Sequence, residues 1–272
     1  MLGILRQKIS EQRLPSVGLH LIATNHYIHF LPDIVETAQR HFFPTLKRHI
    51  IIYTNQDMLP ISFNHYSSII FHVIRIPHEQ WPYVTLKRFH YFSLFTEQLN
   101  YSFYCDVDSM FINTISADIL GNNLLGTLHP GYVFTNSDGS LIAERGTVCS
   151  NPNSTACIPV GENQMYFCGG FFGGPHSKFM KLTDVLKQRI QTDIDNDVMA
   201  DWHDESHLNW YFWKNPPIVL WYPFAVQEEK ARYKDTRIIF LDKSRRGGAN
   251  TFRASTLTRL SITAEGIKRR YQ

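Results

Sequence analysis

At 272 residues the chain is long enough for one large α/β domain with a sizeable core. Its 43% hydrophobic content against 19% charged excludes an intrinsically disordered polymer. A formal net charge of +3 gives no case for a nucleic-acid binder, and no apolar run approaches the roughly 18 residues that a membrane span requires. Basic residues gather at the end of the chain. Lys243, Arg245, Arg246, Arg253, Arg259, Lys268, Arg269 and Arg270 face a single acid there, Glu265. Cys105, Cys149, Cys157 and Cys168 contain no C-x-x-C pair, which speaks against a structural zinc site. Reduced thiols are expected, with a Cys149–Cys157 bridge the alternative in an oxidising compartment. The start, Met1-Leu-Gly-Ile-Leu-Arg6, turns charged too soon for a signal peptide, so the expectation is a cytoplasmic protein without an integral membrane segment.

Val17 to Thr24 reads as the first strand, followed by a loop at Asn25-His26-Tyr27. Leu31, Ile34, Val35 and Ala38 have helical spacing within 30–43. His49 to Thr54 is a second strand, apolar enough to be buried on both faces, and Ile69 to Ile76 a third. This strand–helix–strand order opens an α/β layer, but neither G-x-G-x-x-G nor a Walker A pattern is present. A helix is predicted over Trp81 to Phe95, with Leu86, Phe89, Phe92 and Phe95 on one face and Lys87 and Arg88 near its start.

Tyr101 to Cys105 is a buried strand that ends in two carboxylates, Asp106 and Asp108, before the apolar Met110-Phe111-Ile112. In open α/β sheets ligands bind beyond the carboxyl ends of strands. Two carboxylates there, with ligand phosphates, suit a hard octahedral cation such as Mg²⁺ or Mn²⁺. Leu124 to Leu128 is another strand, closed by a turn at His129-Pro-Gly131. Residues 136–163, rich in Asn, Ser, Gly and Pro, are expected to form one long loop, a lid or a binding loop.

The paired glycines of Tyr166-Phe-Cys-Gly-Gly-Phe-Phe-Gly-Gly174 do not read as an ordinary strand; they suit backbone that approaches a ligand or another segment closely. A helix is predicted over Ser177 to Ile190 with Ser177 as its N-cap. Asp201, His203, Asp204, Glu205 and His207 then crowd the start of a helix over Ser206 to Trp213. The simplest role of Asp204 and Glu205 there is to complement the helix dipole. Ile218 to Tyr222 reads as the last core strand, ahead of the basic tail.

Taken together, D-V-D at 106–108, L-H-P-G at 128–131, G-G-F-F-G-G at 169–174 and W-H-D-E-S-H-L-N at 202–209 closely resemble glycosyltransferase family six, the histo-blood-group A/B and α1,3-galactosyl transferases. The resemblance runs from about Leu19 to about Lys243. It implies a single-domain GT-A fold, α/β with a mixed Rossmann-like sheet. About 15–110 would form the UDP-binding half, about 111–243 the acceptor and catalytic half, and 244–272 a basic tail. It also implies retaining transfer of N-acetylgalactosamine or galactose from UDP to the 3-hydroxyl of a galactose-terminated oligosaccharide, fucosylated or not.

By that resemblance Asp106 and Asp108 hold the UDP diphosphate through Mn²⁺ (or Mg²⁺), with Val107 between them. Tyr27 stacks on uracil beside Ala23 and Thr24. Trp81 precedes the basic helix, and Arg88 lies near the donor sugar. His129 contacts the acceptor galactose and Trp202 packs against it. Asp204 binds a donor hydroxyl, and Glu205 faces the anomeric carbon and the acceptor. Cys168, Gly169 and Gly170 fall where the family distinguishes its donors, and the small Gly170 implies UDP-N-acetylgalactosamine over UDP-galactose. Lys243, with Arg245 or Arg246, resembles residues that close over the diphosphate.

Animal members carry a membrane anchor and stem, whereas here the resemblance starts close to Met1, as in shorter prokaryotic or viral members. Two other classes compete: a sugar-binding protein without transfer activity, and a metal-dependent phosphoesterase using Asp106, Asp108, His203 and His207.

Overall fold

The computed structural model describes residues 14–243 apart from 136, 139, 145, 163, 164, 232 and 233. The basic tail expected over 244–272, with Arg245 and Arg246, lies outside the described residues. In chain order the strands are β1 (Ser16–Ile22), β2 (Lys47–Thr54), β3 (Ile69–Arg75), β4 (Tyr101–Cys105), β5 (Ser109–Phe111), β6 (Leu125–Leu128), β7 (Val133–Thr135), β8 (Leu141–Ala143), β9 (Phe167–Pro175), β10 (Ile218–Leu220), β11 (Ala225–Gln227) and β12 (Ile238–Phe240). The helices are α1 (Leu31–His41), α2 (Tyr83–Leu86), α3 (Arg88–Phe92), α4 (His176–Asp195) and α5 (His203–Lys214).

Seven strands form a mixed sheet in the order β10-β6-β9-β4-β1-β2-β3. The β3-β2-β1-β4 side is parallel, and β9 runs antiparallel to both β4 and β6. A small sheet, β11-β12-β5, lies beside it. This is a mixed α/β architecture, as the resemblance implies.

The sheet separates two cores, which explains why its inner strands are apolar without alternation. Val17, Leu19, Leu21, Ile50 and Ile52 point to one side, toward α1 and the small sheet. Ile22, Ile51 and Tyr53 point to the other, where they meet Phe89, Phe92, Phe179, Leu186 and Phe212 from α3, α4 and α5. The second core also holds His20. It pairs with Tyr53 Oη at 2.9 Å and Ser102 Oγ at 3.3 Å, and burial drives its pKa down to about 3. A neutral histidine inside an aromatic cluster is therefore hydrogen-bonded rather than orphaned.

Five sequence expectations change. The stretch at 167–175 is a strand after all, at the centre of the sheet. A β-carbon on Gly173 would run into the Ser102 carbonyl and Phe103, so glycine is what lets β4 and β9 close together. The helix over 81–95 is two short pieces that meet at Lys87. The loop over 136–163 begins with a hairpin partner, as β8 pairs antiparallel with β7. The helix expected from Ser177 starts at His176 after an N-cap Pro175, so Ser177 is not its cap. Ile218 opens an edge strand and is 45% exposed. It is followed by β11 and β12, which the sequence reading did not place.

Candidate active site

The parallel strands end on one rim, where β1 delivers Thr24 and β4 delivers Asp106. A cleft of about 860 Å³, counting space open to solvent, is lined there by Thr24, Tyr27, Trp81, Arg88, Val107 and Lys243, with Asp106 on the Arg88 side and Asp108 beside Lys243. Ala23 is fully buried just behind it, its N–H bonded to the Tyr53 carbonyl at 2.8 Å.

Arg88 is the hub of the floor. It is buried, and its Nη1 donates to the Gly169 carbonyl at 2.7 Å while Nη2 pairs with Asp204 at 2.9 Å. Its guanidinium carbon lies 4.5 Å from the centre of the Tyr104 ring, a cation–π contact, and Nη1 is 3.8 Å from Asp106 Oδ1. Burial alone would lower the Arg88 pKa. Asp204, Tyr104, Asp106 and Glu205 outweigh it and hold the charge on. On the other side of the same residue, Gly169 N–H donates to Glu205 Oε2 at 2.8 Å. Gly169 is thus gripped from both ends, by arginine on its carbonyl and by glutamate on its amide.

Asp204 and Glu205 sit in the first turn of α5, yet neither side chain caps it. Their carboxylates are committed to Arg88 and to Gly169 N–H instead. Burial raises the Asp204 pKa to about 7, against the pull of Arg88 and with a further push from Glu205. Asp204 does not itself line the cleft; it lies buried behind it and reaches it through Arg88. Helix α5 is fastened to β9 by Asn209, which accepts from Phe167 N–H and donates to Phe167 O, both at 2.8 Å.

Asp106 Oδ1 accepts from Tyr104 Oη at 2.6 Å, and its N–H donates to Gly170 O at 2.9 Å. Burial, opposed by Arg88 and reinforced by Asp108, raises its pKa. A divalent cation would relieve that cost, so the two carboxylates fit the metal that the sequence implies. Asp108 meets Lys243 at 2.5 Å, and the same ammonium stands 5.6 Å from the centre of the Tyr27 ring.

Gly170 has a neighbour that the sequence did not reveal. A β-carbon there would lie 2.5 Å from Phe240 Cε1 and 3.3 Å from Asp106 Oδ2. The space freed by glycine is taken up by a ring from β12. Cys168 is buried on the same strand, its thiol pKa pushed up to about 12 by burial.

His129 and Trp202 do not line this cleft. His129 follows β6, bonds the Tyr166 carbonyl through its N–H and accepts from Gly131 N–H at 3.0 Å. Trp202 precedes α5, and its carbonyl accepts from Glu205 N–H at 3.0 Å. Both therefore flank the β9–α5 junction.

The phosphoesterase set is not drawn together: His207 turns to Asp193 at 3.5 Å and His203 packs edge-on against Trp81. Among the described residues, the group of three with metal-ligand atoms close together is His49, His72 and Glu97. It lies toward the N-terminal half of β2, outside the cleft, with the two imidazoles hydrogen-bonded to each other at 2.9 Å. Sequence reading also missed Tyr104 and Asn209. Tyr104 stood inside the aromatic run of a buried strand, and Asn209 only closed the W-H-D-E-S-H-L-N motif without a role of its own.

Fold and cleft together define a glycosyltransferase of GT-A type. The model of "Glycosyltransferase family 6" matches residues 2–246, and the chain belongs to that family. It is 30% identical over 236 residues to histo-blood group ABO system transferase 1 of Rattus norvegicus, covering 84% of this chain and 65% of the relative. It is 27% identical over 234 residues to the O-antigen biosynthesis glycosyltransferase WbnI of Escherichia coli, covering 84% and 95%. Globoside alpha-1,3-N-acetylgalactosaminyltransferase 1 of Gallus gallus is 28% identical over 221 residues, covering 79% and 62%. The chain thus spans about two thirds of the length of its vertebrate relatives. Among the described residues no helix is long and apolar enough to cross a membrane.

Proposed function

We propose that the protein is a retaining α1,3-glycosyltransferase that moves N-acetylgalactosamine, in preference to galactose, from a UDP-sugar to the 3-hydroxyl of a terminal β-galactoside. The observation that carries this reading is the double grip on Gly169, which fixes Arg88, Asp204 and Glu205 around one point beside Asp106. In this reading Tyr27 provides the face for uracil, and Thr24 closes the base pocket from β1. Arg88 and Asp204 hold donor-sugar hydroxyls.

A Mn²⁺ or Mg²⁺ bound by Asp106 and Asp108 would supply positive charge where the diphosphate leaves. Glu205, aimed by the Gly169 amide, faces the anomeric carbon as positive charge develops there. It acts either as a nucleophile that forms a glycosyl ester or as the group that steadies an ion pair during front-face attack by the acceptor hydroxyl. His129 and Trp202, flanking the same junction, receive the acceptor galactose.

Two measurements test the reading together. UDP with Mn²⁺ is expected to raise the melting temperature, and UDP-N-acetylgalactosamine is expected to be consumed when a β-galactoside is present. Asp106→Asn with Asp108→Asn abolishes metal-dependent turnover. Absence of any stabilisation by UDP and Mn²⁺ sinks the donor assignment, and full wild-type activity in excess EDTA refutes the metal role.

A further inference from the structure

Asp106 and Asp108 each have a basic partner, but the two partners differ in how they are held. Arg88 is buried, with Gly169 O, Asp204 and the Tyr104 face around it, and has nowhere to go. Lys243 has one short ion pair, to Asp108, and one longer contact, to the Tyr27 ring. Its side chain is 29% exposed. Its backbone starts from a fixed point, because β12 pairs with β5 and Leu241 N–H donates to Asp108 O at 2.9 Å. The ammonium therefore stands between the aromatic face available to a base and a carboxylate available to a cation.

We infer that Lys243 is an exchangeable counter-ion of Asp108, and that it makes a divalent cation and a nucleoside diphosphate bind as one unit. The inference rests on reading the cleft as a UDP–metal site. A cation entering alone must compete with the ammonium for Asp108 and is repelled by it. The displaced lysine would then lose its short ion pair with nothing gained in exchange. A diphosphate entering with the cation supplies that anion, so Lys243 passes from carboxylate to phosphate and remains paired. By thermodynamic linkage the coupling is reciprocal, so UDP tightens the cation and the cation tightens UDP by the same factor.

Mn²⁺ binding to the full chain, followed by electron paramagnetic resonance with and without UDP, tests this without any turnover. Lys243→Met keeps the stem and removes the charge. Without UDP it is expected to bind Mn²⁺ at least fivefold more tightly than wild type. With saturating UDP it is expected to bind Mn²⁺ no more tightly than wild type. Lys243→Arg keeps the charge and retains wild-type behaviour, and Asp108→Asn removes the gain from the Met variant. A gain below fivefold without UDP overturns the exchange. So does an equal gain with UDP present, which would mark a fixed charge acting through space. Should UDP fail to bind wild type, the donor assignment falls instead. The two failures are distinguishable because the comparison without UDP does not involve the nucleotide.

Discussion

The floor and the mouth of the cleft use the same chemistry, a carboxylate against a base, with opposite mechanics. On the floor Arg88 joins Asp204, Gly169 and Tyr104, each contributed by a different packed element, and all four are buried. At the mouth Asp108 and Lys243 share one ion pair near the end of the described chain. A charge with several fixed partners is costly to disturb, and a charge with one partner is ready to change it. The contrast assigns geometry to the floor and ligand exchange to the mouth.

The largest effect should come from attacking the floor. Arg88→Ala leaves Asp204 buried without a cation, a loss on the order of 3–5 kcal/mol for a broken buried pair. Chemical denaturation should show more loss at pH 8 than at pH 5, because Asp204 titrates at about 7 and its protonated form needs no partner. Because burial holds the Asp204 pKa above that of a free carboxyl, wild type itself loses stability from this group as pH rises from the free value through about 7, and Arg88 limits that loss. By comparison Lys243→Met should cost about 1 kcal/mol or less, the scale of a partly exposed ion pair. Equal losses for the two variants would erase the distinction between floor and mouth.

Glu205→Gln comes next. It keeps the shape that accepts from Gly169 N–H and removes the charge, so transfer should fall about a hundredfold or more, as for loss of a preorganised electrostatic partner. UDP affinity, read by titration calorimetry, should change by less than about twofold. A variant that no longer folds or binds UDP would make Glu205 a strut between α5 and β9 rather than a catalytic group.

The smallest effect belongs to the wall between floor and mouth. Gly170→Ala places a methyl against Phe240, and the displaced ring has to move toward Asp106 or away from the cleft. The ratio of kcat/KM for UDP-N-acetylgalactosamine over UDP-galactose should shift toward galactose. One methyl is worth only about 1–3 kcal/mol of discrimination, so a partial change is expected. A lower melting point with an unchanged donor ratio would show that Gly170 serves packing with Phe240 alone.

The parallel half of the molecule was open to reading because burial on both faces writes itself as unbroken apolar runs, as in Ile50-Ile51-Ile52. The carboxylates were legible for a related reason: the strand before them and the apolar run after them left no other place for two charges. The antiparallel half was harder. In β9 glycines stand where side chains would collide with β4 and with Phe240, and that requirement comes from neighbours distant in sequence. The division of 81–95 into two helices was hidden by an apolar spacing that survives the break at Lys87. The roles of Asp204 and Glu205 were equally open, since a helix start suits carboxylates with or without a partner across a cleft. The Arg88 and Gly169 contacts decide between those meanings.

The Asn209 contact has a mechanical consequence for Glu205. The two residues are one turn apart on α5, and Asn209 Nδ2 also donates to the Glu205 carbonyl at 2.9 Å. Its amide imitates the paired donor and acceptor of a neighbouring strand, so the helix is registered on β9 as a strand would be. If α5 slid along its axis, it would have to break both Phe167 bonds before Glu205 could leave Gly169. The reach of the carboxylate is thus gauged by the sheet itself, and the play in its position is no larger than the play in two hydrogen bonds.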